Sequence, residues 1–360
     1  MKSRVIGLLV LIGVIVTAFV YSFMQKNKPP EIKPTEPLVL SGYLGGEKIG
    51  LFEDSEVKKV LKDKYNLTLN YQKAGSLDMI TAKLDNMDYL FPSSQTALEL
   101  YNNVHGKAPK SDLILNTPIV LYSHKVIAEA FVKNGVATKD GNVYYMDILK
   151  LTEMMEKNTK WSDVGLNDLY GQITVGTTDP TKSNSGNMFA GLLANMLNGG
   201  NVAGIQDLNK INPQISALFK KLGYMETSSA DIFDQFLRTG MGAKPIIAGY
   251  ENQLLEFAVE NPEDWKILKD DIVIIYPTPT VWSTHIYIAL DEKGKIGIDA
   301  LRDTQIQELA WKKHGFRTGV SGVNQDTSIF GVDGVAPNIT KIIPMPDVKT
   351  MDGIIKYLEN

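Results

Sequence analysis

Lys182, Ser183, Asn184, Ser185 and Gly186 stand in a row just ahead of an amphipathic run, and residues of these types in that position can bind an anion. The stretch 177–200 reads as the end of a strand, a polar loop and a helix. Gln172–Thr177 is a short β-type run, and Asp179-Pro180 stops it because proline cannot continue a ladder. Ser183, Asn184 and Ser185 are consecutive N-cap candidates. Met188, Phe189, Leu192, Leu193, Met196 and Leu197 then fall on one helical face, and Gly199-Gly200 closes the run. A helix start carries unpaired N–H groups and about half a positive charge, so it can hold an oxyanion or carboxylate with Lys182 alongside. Taken alone, the same residues are equally explained as an ordinary capped helix. What separates the readings is whether other segments build a cleft around this one.

The elements that could do so follow a repeating order. Leu38–Tyr43 reads as a strand, a glycine-rich loop reaches Gly50, and Asp54–Lys64 reads as a helix. Leu67–Tyr71 is a second strand, with Gly75-Ser76 ahead of a helix over Leu77–Asn86. Met87–Phe91 is a third, with Pro92-Ser93-Ser94 ahead of a helix over Thr96–Asn103. Strand, loop and helix repeated three times is the pattern of an α/β domain with a parallel sheet, where ligands collect beyond the carboxyl ends of the strands. Further on, Asn116–Lys125, Lys244–Tyr250, Asp271–Tyr276 and Ser283–Leu290 read as strands. Helices are expected at Met146–Lys157, Ile232–Leu237, Asn252–Ala258, Ala300–His314 and Met351–Leu358.

At 360 residues the chain is long enough for two lobes, and 44% hydrophobic with 22% charged residues is an ordinary globular composition. Val5–Phe23 is an uncharged apolar run preceded by Lys2 and Arg4, and at ~1.5 Å per residue it nearly spans the ~30 Å core of a bilayer. A cleaved signal peptide could use the small-residue site near Ala18. An uncleaved signal-anchor over residues 1–24 better explains why the apolar run continues to Phe23. Residues 25–37 hold four prolines and no apolar period, a stiff extended spacer between membrane and globular part. The expected location is therefore the cell membrane, with a single-pass N-terminal anchor and the globular part extracellular or periplasmic. Net charge is −4 overall, but residues 37–360 hold 32 basic against 39 acidic side chains, a net of −7. An acidic body without a basic stripe argues against nucleic acid. The absence of cysteine removes disulfides, thiolate metal sites, a cysteine nucleophile and the lipid-modified cysteine of a lipoprotein.

The order of these pieces resembles the type 2 periplasmic or extracellular solute-binding proteins, the capturing subunits of ABC importers. The residues that carry the likeness are Asp88–Ser94 (DYLFPSS), Pro118–Ser123, Asp179–Asn187 (DPTKSNSGN), Ile246–Asn252 (IIAGYEN) and Ile274–Trp282 (IIYPTPTVW). The Asp-Pro…Ser-Gly segment ahead of a helix is similar to the oxyanion binders among them. The resemblance implies two β/α lobes joined by two crossing strands near Pro118–Ser123 and Ser283–Leu290. Lobe 1 would then be 38–119 plus 289–360, and lobe 2 would be 120–288. It also implies that Ser76, Ser93 and Ser94 of lobe 1 face Lys182, Ser183, Asn184, Ser185 and Gly186 of lobe 2. Tyr250 at a strand end and Trp282, a stacking wall or a packing residue, complete the candidate set. Glu251 beside Tyr250 would repel an anion unless it pairs with a lysine or marks a cationic or amine-bearing ligand.

The expected function is capture of a small ligand, an oxyanion by preference, through lobe closure and its presentation to a membrane permease or other envelope protein. The alternative is a ligand sensor or assembly partner in envelope stress or toxic-anion resistance. No cofactor, metal site or enzymatic activity is expected. The four histidines show no acidic companion at metal spacing, and there is neither a nucleophile elbow nor a P-loop.

Overall fold

The computed structural model describes residues 36–320, 323 and 325–359. The anchor expected over residues 1–24, and nearly all of the spacer 25–37, lie outside the described residues. Among the described residues no helix is long and apolar enough to cross a membrane.

Alternating burial along Leu38–Leu44 (β1) puts Leu40 and Leu44 into a core, and parallel partners flank it on both sides. Leu67–Lys73 (β2) pairs along its whole length, and Tyr89–Phe91 (β3) pairs with Gly42–Leu44. The next strand, Lys110–His124 (β4), is 15 residues long and serves two sheets. Its first part, through Pro118, runs antiparallel to Trp282–Ala289 (β9), which also pairs with β3. The resulting order in the first sheet is β2-β1-β3-β9-β4. From Ile119 onward β4 lies between Ile246–Tyr250 (β7) and Ile272–Thr278 (β8). The hairpin Ala137–Asp140 (β5) and Val143–Asp147 (β6) extends this second sheet beyond β8. Arg317–Thr318 (β10) adds to the first sheet at Leu115 and Asn116.

The lobes therefore join where β4 changes sheets, at Pro118-Ile119, and where the chain returns between β8 and β9. Ile119 N–H donates to Val281 O at 3.0 Å, and Thr280 Oγ1 donates to Ile119 O at 2.5 Å, so the two crossings are held together. The second crossing expected at Ser283–Leu290 falls instead at 278–282, because β9 is committed to the first sheet from its first residue. The chain beyond Ala289, expected wholly in lobe 1, divides. Helix Lys295–Leu301 and residues Ile306 and Ala310 of helix Thr304–His314 enter the lobe 1 core. Trp311, Phe330 and Val335 pack with Leu254 and Tyr276 of lobe 2, and Met351 and Ile354 of helix Val348–Leu358 enter the other lobe 2 core.

Other differences have local causes. The strand expected at Gln172–Thr177 is reduced to bridges, because only Gly176 reaches β7: its N–H donates to Ile246 O at 2.9 Å and its carbonyl accepts from Ala248 N–H at 2.8 Å. The helix expected over Leu77–Asn86 shrinks to Asp78–Thr81, and Asn86 adopts a left-handed conformation at φ 63°. The helix expected over Ala300–His314 is two helices, because Asp303 turns to cap the second through Gln305 N–H.

Candidate ligand-binding cleft

The loops that follow β1 and β2 meet helix starts of lobe 2 across a cleft of about 350 Å³. Lobe 1 supplies Glu47, Lys73, Ser76 and Asp78. Lobe 2 supplies Lys182, Ser183, Asn184, Ser228, Ser229 and Tyr250. Helix Asn184–Leu197 and helix Ser229–Thr239 both begin here, with Ser183 and Ser228 at their N-caps. Neither serine hydroxyl caps its own helix, so N–H groups of the first turn are left for another acceptor. Beside them, Asn187 lines a recess shared with Lys182, Gly75 and Asp78, and its buried Nδ2 has no hydrogen-bond partner among the described residues. Lys73 and Lys182 are exposed and have no ion-pair partner among the described residues. Gly186 lets the helix start pass close to the Thr178 backbone, since a Cβ there would meet Thr178 O at 2.2 Å.

Asn184 ties the lobes together. Its Nδ2 donates to Ser93 O at 3.1 Å across the cleft and to the Tyr250 hydroxyl at 2.9 Å. Ser283 Oγ also donates to Ser93 O, at 2.8 Å, so the end of β3 is gripped from two sides. Burial, followed by the nearby Glu47 charge, raises the Tyr250 pKa, and the phenol stays protonated.

Under the lobe 1 wall lies a buried polar cluster. Ser93 and Lys48 both donate to Glu47 Oε1, Lys48 Nζ donates to Ser93 Oγ at 2.7 Å, and His285 Nδ1 lies 3.1 Å from Lys48 Nζ. Burial pushes the Glu47 carboxyl up, but the Lys48 ammonium and the hydrogen bonds from Lys48 and Ser93 overcome it and hold the group at about 2. His285 is driven well below its ordinary range by burial and then by Lys48, so it is neutral. The tautomer that fits keeps Nδ1 as acceptor from Lys48. A Ser–Lys pair at this distance resembles a nucleophile and its base. Here, however, the serine proton goes to Glu47 and the lysine donates, so neither role is open.

The named residues thus fall into different positions. Ser76, Lys182, Ser183, Asn184 and Tyr250 line the cleft. Ser76 also accepts from Ser93 N–H at 2.9 Å. Ser93 lies beneath the cleft in the Glu47 cluster. Ser94 caps helix Gln95–His105 through Ala97 N–H. Ser185 is buried, bonded to Thr178 Oγ1 at 2.8 Å and Ser183 Oγ at 3.1 Å. Trp282 starts β9 opposite Pro118 and is not part of the cleft wall. Glu251 is fully buried and neutralised, taking both Arg317 Nε (2.6 Å) and Nη2 (2.7 Å) and the Tyr276 hydroxyl (2.6 Å). Glu47, Lys48 and the Ser228-Ser229 pair were not singled out. The glycine-rich loop through Lys48, at the carboxyl end of β1, was the available signal for the first two. The one group of three possible metal ligands among the described residues is Glu256, Glu260 and His314, and none of them lines the cleft.

No protein-family model and no curated protein matches this sequence. Solved structures do. The substrate-binding protein of an ABC transporter from Agrobacterium tumefaciens has 14% identity and a TM-score of 0.55, over 92% of this chain and 96% of its own. The fold is that of the type 2 periplasmic binding proteins. The periplasmic binding protein AfuA from Actinobacillus pleuropneumoniae, with exogenous fructose-6-phosphate bound, has 14% identity and a TM-score of 0.57 over 89% and 97%. Apo ferric ion-binding protein A from Pasteurella haemolytica has 14% identity and a TM-score of 0.53 over 89% and 94%. At this identity the likeness establishes the fold, and ligand choice must be argued from the cleft itself.

Proposed function

We propose that this chain is a membrane-anchored extracellular solute-binding protein that captures a small ligand bearing an oxyanion between its lobes and presents it to a membrane permease. The observation that carries the reading is the lobe 2 wall: two helix starts with uncommitted caps, Lys182, and the unpartnered Asn187 Nδ2 around one cavity. Such donors replace the hydration of an oxyanion without full counter-charge. Glu251, the residue that argued against an anion, is withdrawn from the cleft by Arg317. Two structural relatives, the substrate-binding protein of an ABC transporter and a periplasmic binding protein with fructose-6-phosphate bound, are consistent with this use of the fold.

Ligand held by both walls favours the closed arrangement by the contacts that the open one lacks. The anchor and spacer expected from residues 1–37 would keep the lobes beside the partner. Titration calorimetry of the purified full-length chain against inorganic phosphate, sulfate, molybdate, an amino acid and a neutral sugar tests the proposal. Binding of at least one oxyanion, weakened tenfold or more by Lys182→Ala, is expected. Binding confined to the neutral sugar or the amino acid would overturn it.

A further inference from the structure

The two walls of the cleft differ in kind. Lobe 2 presents donors, whereas lobe 1 presents the carboxylates of Glu47 and Asp78 with Lys73 at the rim. Lys48 adds no free positive charge, because it is fully buried and paired to Glu47. All hydrogen bonds to Glu47 end on Oε1; among the described residues Oε2 accepts none, although Glu47 lines the cavity. Asp78, exposed at the first turn of its short helix, makes no ion pair among the described residues. A bare tetrahedral anion seated on lobe 2 would face these acceptors with nothing to offer them. It would also leave much of the roughly 350 Å³ empty.

We infer that the ligand is an organic oxyanion whose far end carries hydrogen-bond donors, hydroxyl or ammonium, which Glu47 Oε2 and Asp78 receive. The inference rests on the oxyanion reading of the lobe 2 wall. It makes Glu47 and Asp78 the residues that set specificity: a ligand lacking donors leaves desolvated carboxylate oxygens unpaired, which is a strong means of rejection.

Calorimetry on the full-length chain with four probes tests it: inorganic phosphate, propyl phosphate, glycerol 1-phosphate and 2-aminoethylphosphonate. The last two separate hydroxyl from ammonium, and propyl phosphate matches their size without donors. At least one donor-bearing probe is expected to bind tenfold or more tighter than propyl phosphate. Asp78→Asn and Glu47→Gln should each cut that preference to threefold or less. Glu47→Gln also disturbs the Lys48 pair, so its fold is checked by circular dichroism; Asp78→Asn breaks no ion pair and stands as the independent variant. Equal binding of propyl phosphate and both donor-bearing probes, or an unchanged preference in a folded Asp78→Asn and Glu47→Gln, would overturn the inference while leaving the oxyanion reading in place. No binding of any of the four probes would overturn the inference, and no binding of sulfate or molybdate in addition would overturn the oxyanion reading with it.

Discussion

Replacing Lys48 by methionine removes the only cation touching a carboxylate that is 8% exposed, while its own fully buried stem keeps an apolar occupant of similar length. In the native cluster Glu47 is held at about 2, below its ordinary 4.5, a stabilising contribution at neutral pH that the lowered pKa of the buried Lys48 partly offsets. For a depressed carboxyl that contribution is present above 4.5 and is lost as the pH falls from 4.5 toward 2. Without Lys48, burial acts almost unopposed and raises the Glu47 pKa, since the Ser93 hydroxyl alone remains as a close donor. A raised carboxyl reverses the sign: stability is retained at low pH and lost as the pH rises through the folded value. Lys48→Met should therefore cost about 3–5 kcal/mol at pH 7, the usual penalty for stranding one member of a buried pair, and clearly less at pH 5. Urea unfolding followed by tryptophan fluorescence at both pH values measures this. The double variant Glu47→Gln with Lys48→Met should recover much of the loss, because no charge is left behind. A loss below about 1 kcal/mol at pH 7, or an unchanged pH dependence, would refute the account of the cluster.

Two further outcomes follow from the same contacts. Asn184→Ala deletes the bond from lobe 2 to Ser93 O and the donor to Tyr250, so the unliganded chain should show a larger radius of gyration in small-angle scattering, with ligand affinity reduced about tenfold, the equivalent of about 1.4 kcal/mol. Arg317→Leu strands Glu251 at full burial between Tyr276 and the loop at Ala336, and thermal unfolding should report a loss of about 3–5 kcal/mol; Arg317→Lys, with one point charge in place of a fork, should recover only part.

Much of the architecture is legible in the sequence because its signals are local. The run from Lys182 to Leu197 declares loop, cap and apolar face within 16 residues, and the helix starts at Asn184. Ser76 and Ser93 are recognisable as loop positions after parallel strands. What is not legible depends on partners distant in the chain. Whether Glu47 repels an anion or is tied down by Lys48 depends on Ser93 and His285, 46 and 238 positions away. Glu251 changes from an objection to an irrelevance only through Arg317, 66 positions on. Trp282 illustrates the reverse: a residue type suited to stacking, placed by strand register opposite Pro118 instead of in the cavity. The point where the chain crosses back ahead of β9 was likewise set by the pairing of β9 with β3 and β4, which no stretch of a single strand encodes.

Two crossing strands alone would let the lobes swing like a door on one edge. Helix Val348–Leu358 adds a constraint elsewhere: it is seated on lobe 2 helices Asn184–Leu197 and Leu208–Lys220 and also bears on helix Gln95–His105 of lobe 1, where Val348 N–H reaches Glu99 at 3.4 Å. Opening must slide that helix across its lobe 1 footing or lift it off. The first limits the stroke to a short shear; the second gives the open form a distinct outline. In either case the tail of the chain acts as a gauge of how far the jaws have parted, and its position could be read from outside without entering the cleft.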